Sequence, residues 1–153
     1  MKKKIWLLDG GMGQELIKNS KSDPHPLWST YVMLEEPDLV RKAHVDFIEA
    51  GASVITLNTY STTPERLEAN DLLAKFSFFQ KKAIDLAREA IDHTQKNVLI
   101  AGCLPPLVAS YRPDKAPEYD RCVDLYIQIV REQESFVDLF ICETMASIKE
   151  AKA

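Results

Sequence analysis

Four polar or reactive groups interrupt apolar stretches of the chain: Asp9 with Gly10-Gly11-Met12-Gly13, Asn58-Thr59-Tyr60, Gly102-Cys103 and Glu143-Thr144. Asp9 and Glu143 each close an apolar segment, so each carboxylate is expected to be partly desolvated and in need of donors or a cation. Two such groups around one cavity suit a ligand ammonium group or a metal ion. The alternative is that both serve helix caps and loop hydrogen bonds, with no ligand. Three of the five glycines fall in the first loop. Glycine permits positive φ and lets a ligand approach backbone N–H groups, although a tight strand-to-helix turn uses the same freedom. The loop lacks the third glycine of a dinucleotide fingerprint, and no lysine follows in the manner of a phosphate-binding loop.

The remaining candidates are weaker. Cys103 and Cys142, with Asp9 or His44, make at most a partial zinc set, because no C-x-x-C spacing supports it. Both also fit as small buried apolar residues, as does Cys122 within a helical pattern. His44 sits between Val40 and Ile48 and reads as a packed or solvated helix residue. His25 and His93 have no evident partner in sequence. Arg112, following Tyr111, either faces an anionic group or is solvated.

The elements that must position these groups alternate regularly. Residues 5–8, 53–57, 98–101 and 139–142 are nearly continuous in apolar character, as expected of parallel strands covered on both faces. Between them, Val40, Ala43, Phe47 and Ala50 keep a helical spacing, with Gly51 placed to end the helix. Phe79, Ala83, Leu86 and Ala90 repeat that spacing, and Val123, Tyr126, Ile127 and Val130 do so again. Thr63-Pro64-Glu65 marks a helix start. The pattern predicts an α/β chain of β-α-β-α-β-α-β form with a right-handed parallel sheet, strands in order 1-2-3-4. The four polar groups then gather where strands end and loops begin. Ser147-Ile148-Lys149-Glu150 has the form of a capping box, so a fourth helix is expected to start just before Ala153. The polypeptide therefore reads as the front part of a longer protein rather than one ending in a frayed turn.

Composition narrows the classes. The chain has 153 residues, 46% hydrophobic and 27% charged. That balance fits a folded single domain and excludes disorder. No apolar run approaches the roughly 18 residues of a membrane span. The stretch after Met1-Lys2-Lys3-Lys4 ends at Asp9, too soon for a signal sequence. With 23 acidic against 19 basic side chains, no basic face for nucleic acid is expected. Three widely spaced cysteines argue against a disulfide framework and make a cytoplasmic location the default.

Several of these segments, taken together, are similar to a known family. Leu8-Asp9-Gly10-Gly11-Met12-Gly13-Gln14-Glu15-Leu16, then Trp28-Ser29, resembles the opening of homocysteine S-methyltransferases. So do the segment from Val40 to His44 and the run Ala50-Gly51-Ala52-Ser53-Val54-Ile55-Thr56-Leu57-Asn58-Thr59-Tyr60. Ala101-Gly102-Cys103-Leu104-Pro105-Pro106-Leu107, followed by Ser110-Tyr111-Arg112-Pro113-Asp114, looks like a bacterial branch. Phe140-Ile141-Cys142-Glu143-Thr144-Met145 looks like the family's fourth strand. The resemblance implies a (β/α)8 barrel of about twice this length, with residues 1–153 as the N-terminal half of one homocysteine-binding domain and no second domain. It implies a transferase of methionine biosynthesis, in which a zinc-bound homocysteine thiolate takes a methyl group. The family's zinc cysteines lie in the sixth-strand region and near the barrel's end, and none of Cys103, Cys122 or Cys142 matches them. By resemblance, Asp9 and Glu143 hold the homocysteine ammonium group, while Gly10, Gly11, Asn58, Thr59 and Tyr60 line its cavity. S-methylmethionine, S-adenosylmethionine, betaine and folate users share these early motifs, so the donor stays open. This chain alone is expected to be inactive, and to self-associate or depend on a missing C-terminal half. A different barrel enzyme for another small thiol or amino acid, and a non-catalytic half-barrel assembly module, are the alternatives.

Overall fold

The computed structural model describes residues 5–21, 25–27 and 29–153; Trp28 and the lysines at positions 2–4 lie outside them. Seven α-helices and three strands are seen among these residues: α1 (Met12–Asn19), α2 (Ser29–Glu35), α3 (Pro37–Glu49), β1 (Val54–Thr56), α4 (Pro64–Glu68), α5 (Phe76–Thr94), β2 (Leu99–Leu104), α6 (Tyr119–Gln133), β3 (Leu139–Cys142) and α7 (Ile148–Lys152). The sheet is parallel throughout, in the order β1-β2-β3. Val54 pairs with Leu99, and Ala101 with Leu139. The expected α/β alternation is present.

The strand expected at residues 5–8 is not formed as such. It is reduced to a single parallel bridge from Leu8 to Val54. The Leu7 carbonyl accepts from the Ser53 N–H at 2.8 Å, and the Asp9 N–H donates to Val54 at 3.0 Å. A segment with a neighbour on only one side has half the ladder of an inner strand, and its apolar residues stay uncovered: Leu7 is 54% exposed and Leu8 47%. Conversely, β2 runs three residues beyond its expected end, to Leu104, because it is paired on both sides.

The helices follow local chemistry. Gly51, at φ 108°, ends α3 in a Schellman arrangement: its N–H reaches Ile48 O at 3.0 Å and the Ala52 N–H reaches Phe47 O at 3.0 Å. Thr63 caps α4 through its hydroxyl, which accepts from the Arg66 N–H at 3.3 Å, with Pro64 at the first position. Ser147 caps α7, accepting from the Glu150 N–H at 3.1 Å. The main core lies where α1, α2, α3 and α5 meet the helix-facing side of β1 and β2, and includes Leu16, Met33, Val40, Ile55, Phe79 and Ala83. A second cluster, Leu107, Cys122, Leu125, Tyr126 and Ile129, joins α6 to the β2 loop.

The apolar row expected on α6, Val123, Tyr126, Ile127 and Val130, is fully buried only at Tyr126, because the helix packs through a neighbouring face. Its buried residues are Cys122, Leu125, Tyr126, Ile129 and Gln133, whereas Ile127 is 41% exposed. The helix carries two apolar faces. The second one, with Ile127 and Val130, borders an open cavity of about 500 Å³ beside β3 and α7.

His44 is fully buried in α3, and neither ring nitrogen has a hydrogen-bond partner. Burial lowers its pKa to about 4 from 6.5. The unfolded chain therefore takes up this proton below 6.5 while the folded chain resists it, so stability falls as pH drops through that window. We expect urea midpoints to show a loss of about 2 kcal/mol from His44 between about pH 7.5 and pH 5. That difference should vanish in His44→Leu; an equal loss in the variant would place the proton uptake elsewhere.

Candidate functional site

The ends of β1, β2 and β3, with the bridge at Leu8, deliver Asp9, Cys103 and Glu143 to one end of the sheet. Asp9 accepts from the Thr56 N–H at 2.7 Å and from the Thr56 hydroxyl at 2.9 Å. It is half-buried, and its pKa is raised. Burial is the main cause, the two Thr56 donors oppose it, and the charge of Glu143 adds to it. The charge of Glu143 thus reaches Asp9, as their places at the strand ends suggest.

Glu143 follows β3, and its N–H donates to Leu104 O at 3.0 Å. One carboxylate oxygen accepts from the Cys103 thiol at 3.1 Å. Cys103 is wholly buried, and burial first, then the Glu143 charge, push its pKa well up. It is therefore a thiol, a weak donor to Glu143. The next residue, Thr144, has φ 56°. A β-branched residue in the left-handed region is strained, and here it turns the chain sharply away just beyond Glu143.

The segment after β1 is buried. Asn58 donates to Ser29 O at 3.2 Å, and the Thr59 hydroxyl accepts from Gln133 at 3.3 Å. Gln133 also donates to Gln80 at 2.8 Å, and Gln80 to the Thr62 hydroxyl at 3.0 Å. This chain of amides ties α5 and α6 to the loop. Tyr60 shares a 2.7 Å hydrogen bond with Ser110 in the loop after β2.

The glycine loop works differently from the sequence expectation. Gly10 and Gly11 are both exposed, and Gly51 is the one glycine with positive φ among the described residues. Gly10 leaves room for the Phe47 ring, since a Cβ there would stand 2.8 Å from Phe47 Cε1 and the ring would have to shift. Gly11 sits at the N-cap of α1.

The other candidates disperse. Arg112 is exposed and forms a two-pronged pair with Asp114, at 2.8 and 2.6 Å. Cys122 packs in the second core cluster, and Cys142 is exposed on the border of the open cavity. His25 stacks on Tyr31 at 4.1 Å. No group of three or more His, Cys, Asp or Glu among the described residues is arranged to hold a metal ion, so the zinc that the family resemblance implies does not fit the side chains present. No helix among them is long and apolar enough to cross a membrane.

One site residue escaped the sequence reading. Arg66 in α4 places its guanidinium between the loops after β1 and β2, donating to Pro106 O at 3.0 Å and lying 5.1 Å from the Tyr60 ring centre. Its signal was a lone arginine three residues past the Thr63 cap, on the polar stretch that follows β1.

The comparisons with known proteins agree in direction. The pattern of the family described as homocysteine S-methyltransferase matches residues 6–153. The homocysteine S-methyltransferase of Escherichia coli K12 is 31% identical over 170 residues, covering 99% of this chain and 54% of that protein. A selenocysteine Se-methyltransferase of Brassica oleracea is 33% identical over 85 residues, covering 55% of this chain and 25% of its own. The crystal structure of the metallated homocysteine methyltransferase MmuM from Escherichia coli superposes with a TM-score of 0.81 at 28% identity, covering 97% of this chain and 57% of that one. The chain thus spans about half the length of the Escherichia coli relatives it matches.

The Thr56 hydroxyl gives a direct check on the geometry of Asp9. In Thr56→Val, the Asp9 carboxyl is expected to titrate at higher pH than in the unaltered chain, followed by carbon NMR of the side chain. Folding should weaken by about 1.5 to 3 kcal/mol for one lost hydrogen bond to a charged group. An unchanged titration would mean that the hydroxyl does not serve Asp9.

Proposed function

The chain belongs to the homocysteine S-methyltransferase family, and we propose that it forms the amino-acid-binding front half of such an enzyme. The observation that carries this is the meeting of Asp9 and Glu143 at the ends of parallel strands, each half-buried and each with acceptor capacity left over. A carboxylate offers about four lone-pair sites. Asp9 uses two on Thr56, and Glu143 uses one on Cys103. A substrate ammonium group placed between them supplies the missing donors and the positive charge that their mutual repulsion calls for. Gly10, Gly11, Asn58, Thr59 and Tyr60 then line the cavity around it.

In the complete enzyme the homocysteine sulfur forms a bond to the methyl carbon, the donor's bond to that carbon breaks, and the thiol proton is lost. The part played by this chain is binding and orientation, which lowers the barrier by fixing the reacting atom. No thiol-activating group is assigned to its residues. The full fold in this reading is a (β/α)8 barrel, with residues 1–153 supplying the first four units. The two apolar faces of α6, the open cavity beside β3 and the exposed segment at residues 5–8 support it, since each marks a flank where a further unit packs.

Glu143→Gln should weaken homocysteine binding by about 2 to 3 kcal/mol, the scale of a charge-assisted hydrogen bond. Calorimetric titration beside a melting curve tests it. A lowered melting temperature with unaltered affinity would make Glu143 a structural loop acceptor and end its assignment to the substrate.

The same open flanks govern behaviour in solution. Unpaired strand edges template association, so the isolated chain should self-associate or require its other half. Light scattering that finds a stable monomer at high concentration, with no dye-accessible apolar surface, would count against the half-barrel.

A further inference from the structure

We propose that Glu150 is a positioning residue: with Arg66 it clamps the buried Pro106–Leu107 peptide between opposite charges, and through that peptide it holds Ser110 and Tyr60 in place. The proposal rests on the function just described only in treating Tyr60 as a wall of the cavity.

Pro105, Pro106 and Leu107 follow β2 and are buried, although they belong to no helix or strand. Buried backbone outside a ladder must find its partners elsewhere, and two prolines bring no N–H of their own. Side chains from three helices supply what is needed. Tyr126 of α6 donates to Pro105 O at 2.9 Å, Arg66 of α4 to Pro106 O at 3.0 Å, and Thr63 at the cap of α4 to Leu107 O at 2.6 Å. The Leu107 N–H donates to the Glu150 carboxylate of α7 at 3.1 Å. Pro106 O and the Leu107 N–H are the two ends of one peptide group, and in the trans form they point in opposite directions. A cation therefore grips one end of this peptide and an anion the other, each in the sense that the peptide dipole favours. Glu150 is 3% exposed, so water screens little of this. Its charge reaches Arg66 as well.

The clamp leads to the candidate site within three residues. Ser110 shares the 2.7 Å hydrogen bond with Tyr60. The guanidinium that holds Pro106 also lies 3.5 Å from the Ser110 hydroxyl and 5.1 Å from the Tyr60 ring centre. Removing Glu150 leaves the Leu107 N–H buried and unpaired, and takes from Arg66 the charge that balances it across the peptide. Loop and guanidinium then relax together, and Tyr60 moves with them. The other Glu150 oxygen accepts from the Ser147 hydroxyl at the start of α7. A helix of five residues does not hold by itself, so Glu150 ties the docking of α7 to the place of Tyr60. The capping-box pattern accounts for the contact with Ser147 and not for the reach to Leu107.

NMR of the full chain without ligand tests the clamp. In Glu150→Ala the Leu107 amide should lose protection from hydrogen exchange, and the Tyr60 ring and Ser110 signals should shift. Glu150→Gln keeps an acceptor for Leu107 and drops the charge, so the amide should stay protected while the Tyr60 ring still shifts. In urea, Arg66→Met and Glu150→Gln should each lower the midpoint. The double variant should fall by less than the two losses added, since it leaves neither charge unmatched. Changes confined to α7, with Tyr60 and Ser110 unmoved, would make Glu150 a helix cap and overturn the proposal, as would strictly additive losses in urea. Titration with L-homocysteine tests the underlying reading separately. Glu150→Ala should bind it several-fold more weakly than the unaltered chain. Equal affinity beside a shifted Tyr60, or no binding by the unaltered chain, counts against the functional reading and leaves the clamp to the ligand-free measurements.

Discussion

Asp9 fixes the end of the first segment against the sheet. Residues 5–8 form no regular strand; they are held by the bridge at Leu8, by hydrogen bonds between Leu7 and the backbone and hydroxyl of Ser53, and by the paired hydrogen bonds from Thr56 to the Asp9 carboxylate. The same carboxylate is thereby a clasp and a candidate ligand group. A carboxylate bound by a backbone N–H and a hydroxyl is fixed in direction, so its remaining lone pairs point where the fold sends them. Burial works against the charge, and the two donors favour it. The site is therefore built from an electrostatic tension that the fold carries before any ligand arrives.

Around this clasp, position is passed along by polar groups that are nearly all satisfied. Thr62, Gln80, Gln133 and Thr59 form a buried relay between two helices and the loop that bears Asn58 and Tyr60. Buried amides linked in this way resist sliding, because a shift of one strands the next without a partner. Gly102 sits against that relay: a Cβ there would come within 2.5 Å of Gln133 Oε1 and of the Phe140 ring. The glycine before Cys103 is thus a packing requirement of the outer face, and it allows the thiol on the inner face to reach Glu143.

Much of this was legible in the sequence. Helical spacing gave Phe79, Ala83, Leu86 and Ala90 as a buried face, and all four are. The limits of β3 were read to the residue, and Gly51 ends α3 as expected. Asp9 and Glu143 stood out because each closed an apolar run. The failures have physical causes. Residues 5–8 look like a strand by composition, but strand formation needs neighbours, which a linear pattern does not count. On α6 the expected row of Val123, Tyr126, Ile127 and Val130 straddles two apolar faces, with Tyr126 on the buried one and Ile127 on the open one. Arg66 is not legible in the sequence because its neighbours, Tyr60, Pro106 and Ser110, come from loops after two different strands, and their meeting becomes visible only in three dimensions. Cys103 was read as a candidate for the core or for metal, and its bond to Glu143 comes from pairing between strands far apart in the chain.

The burial of that thiol also makes it a clock. A sulfur with its pKa well raised and no exposed surface is nearly inert to alkylating reagents, which need a thiolate and access. Cys142, exposed on the neighbouring strand, takes up reagent at the rate of an open surface. The ratio of the two labelling rates measures how often the ends of β2 and β3 part, which is the local opening free energy of the site. Two native cysteines, one strand apart, thus give a built-in comparison between a wall that is always open and one that must breathe.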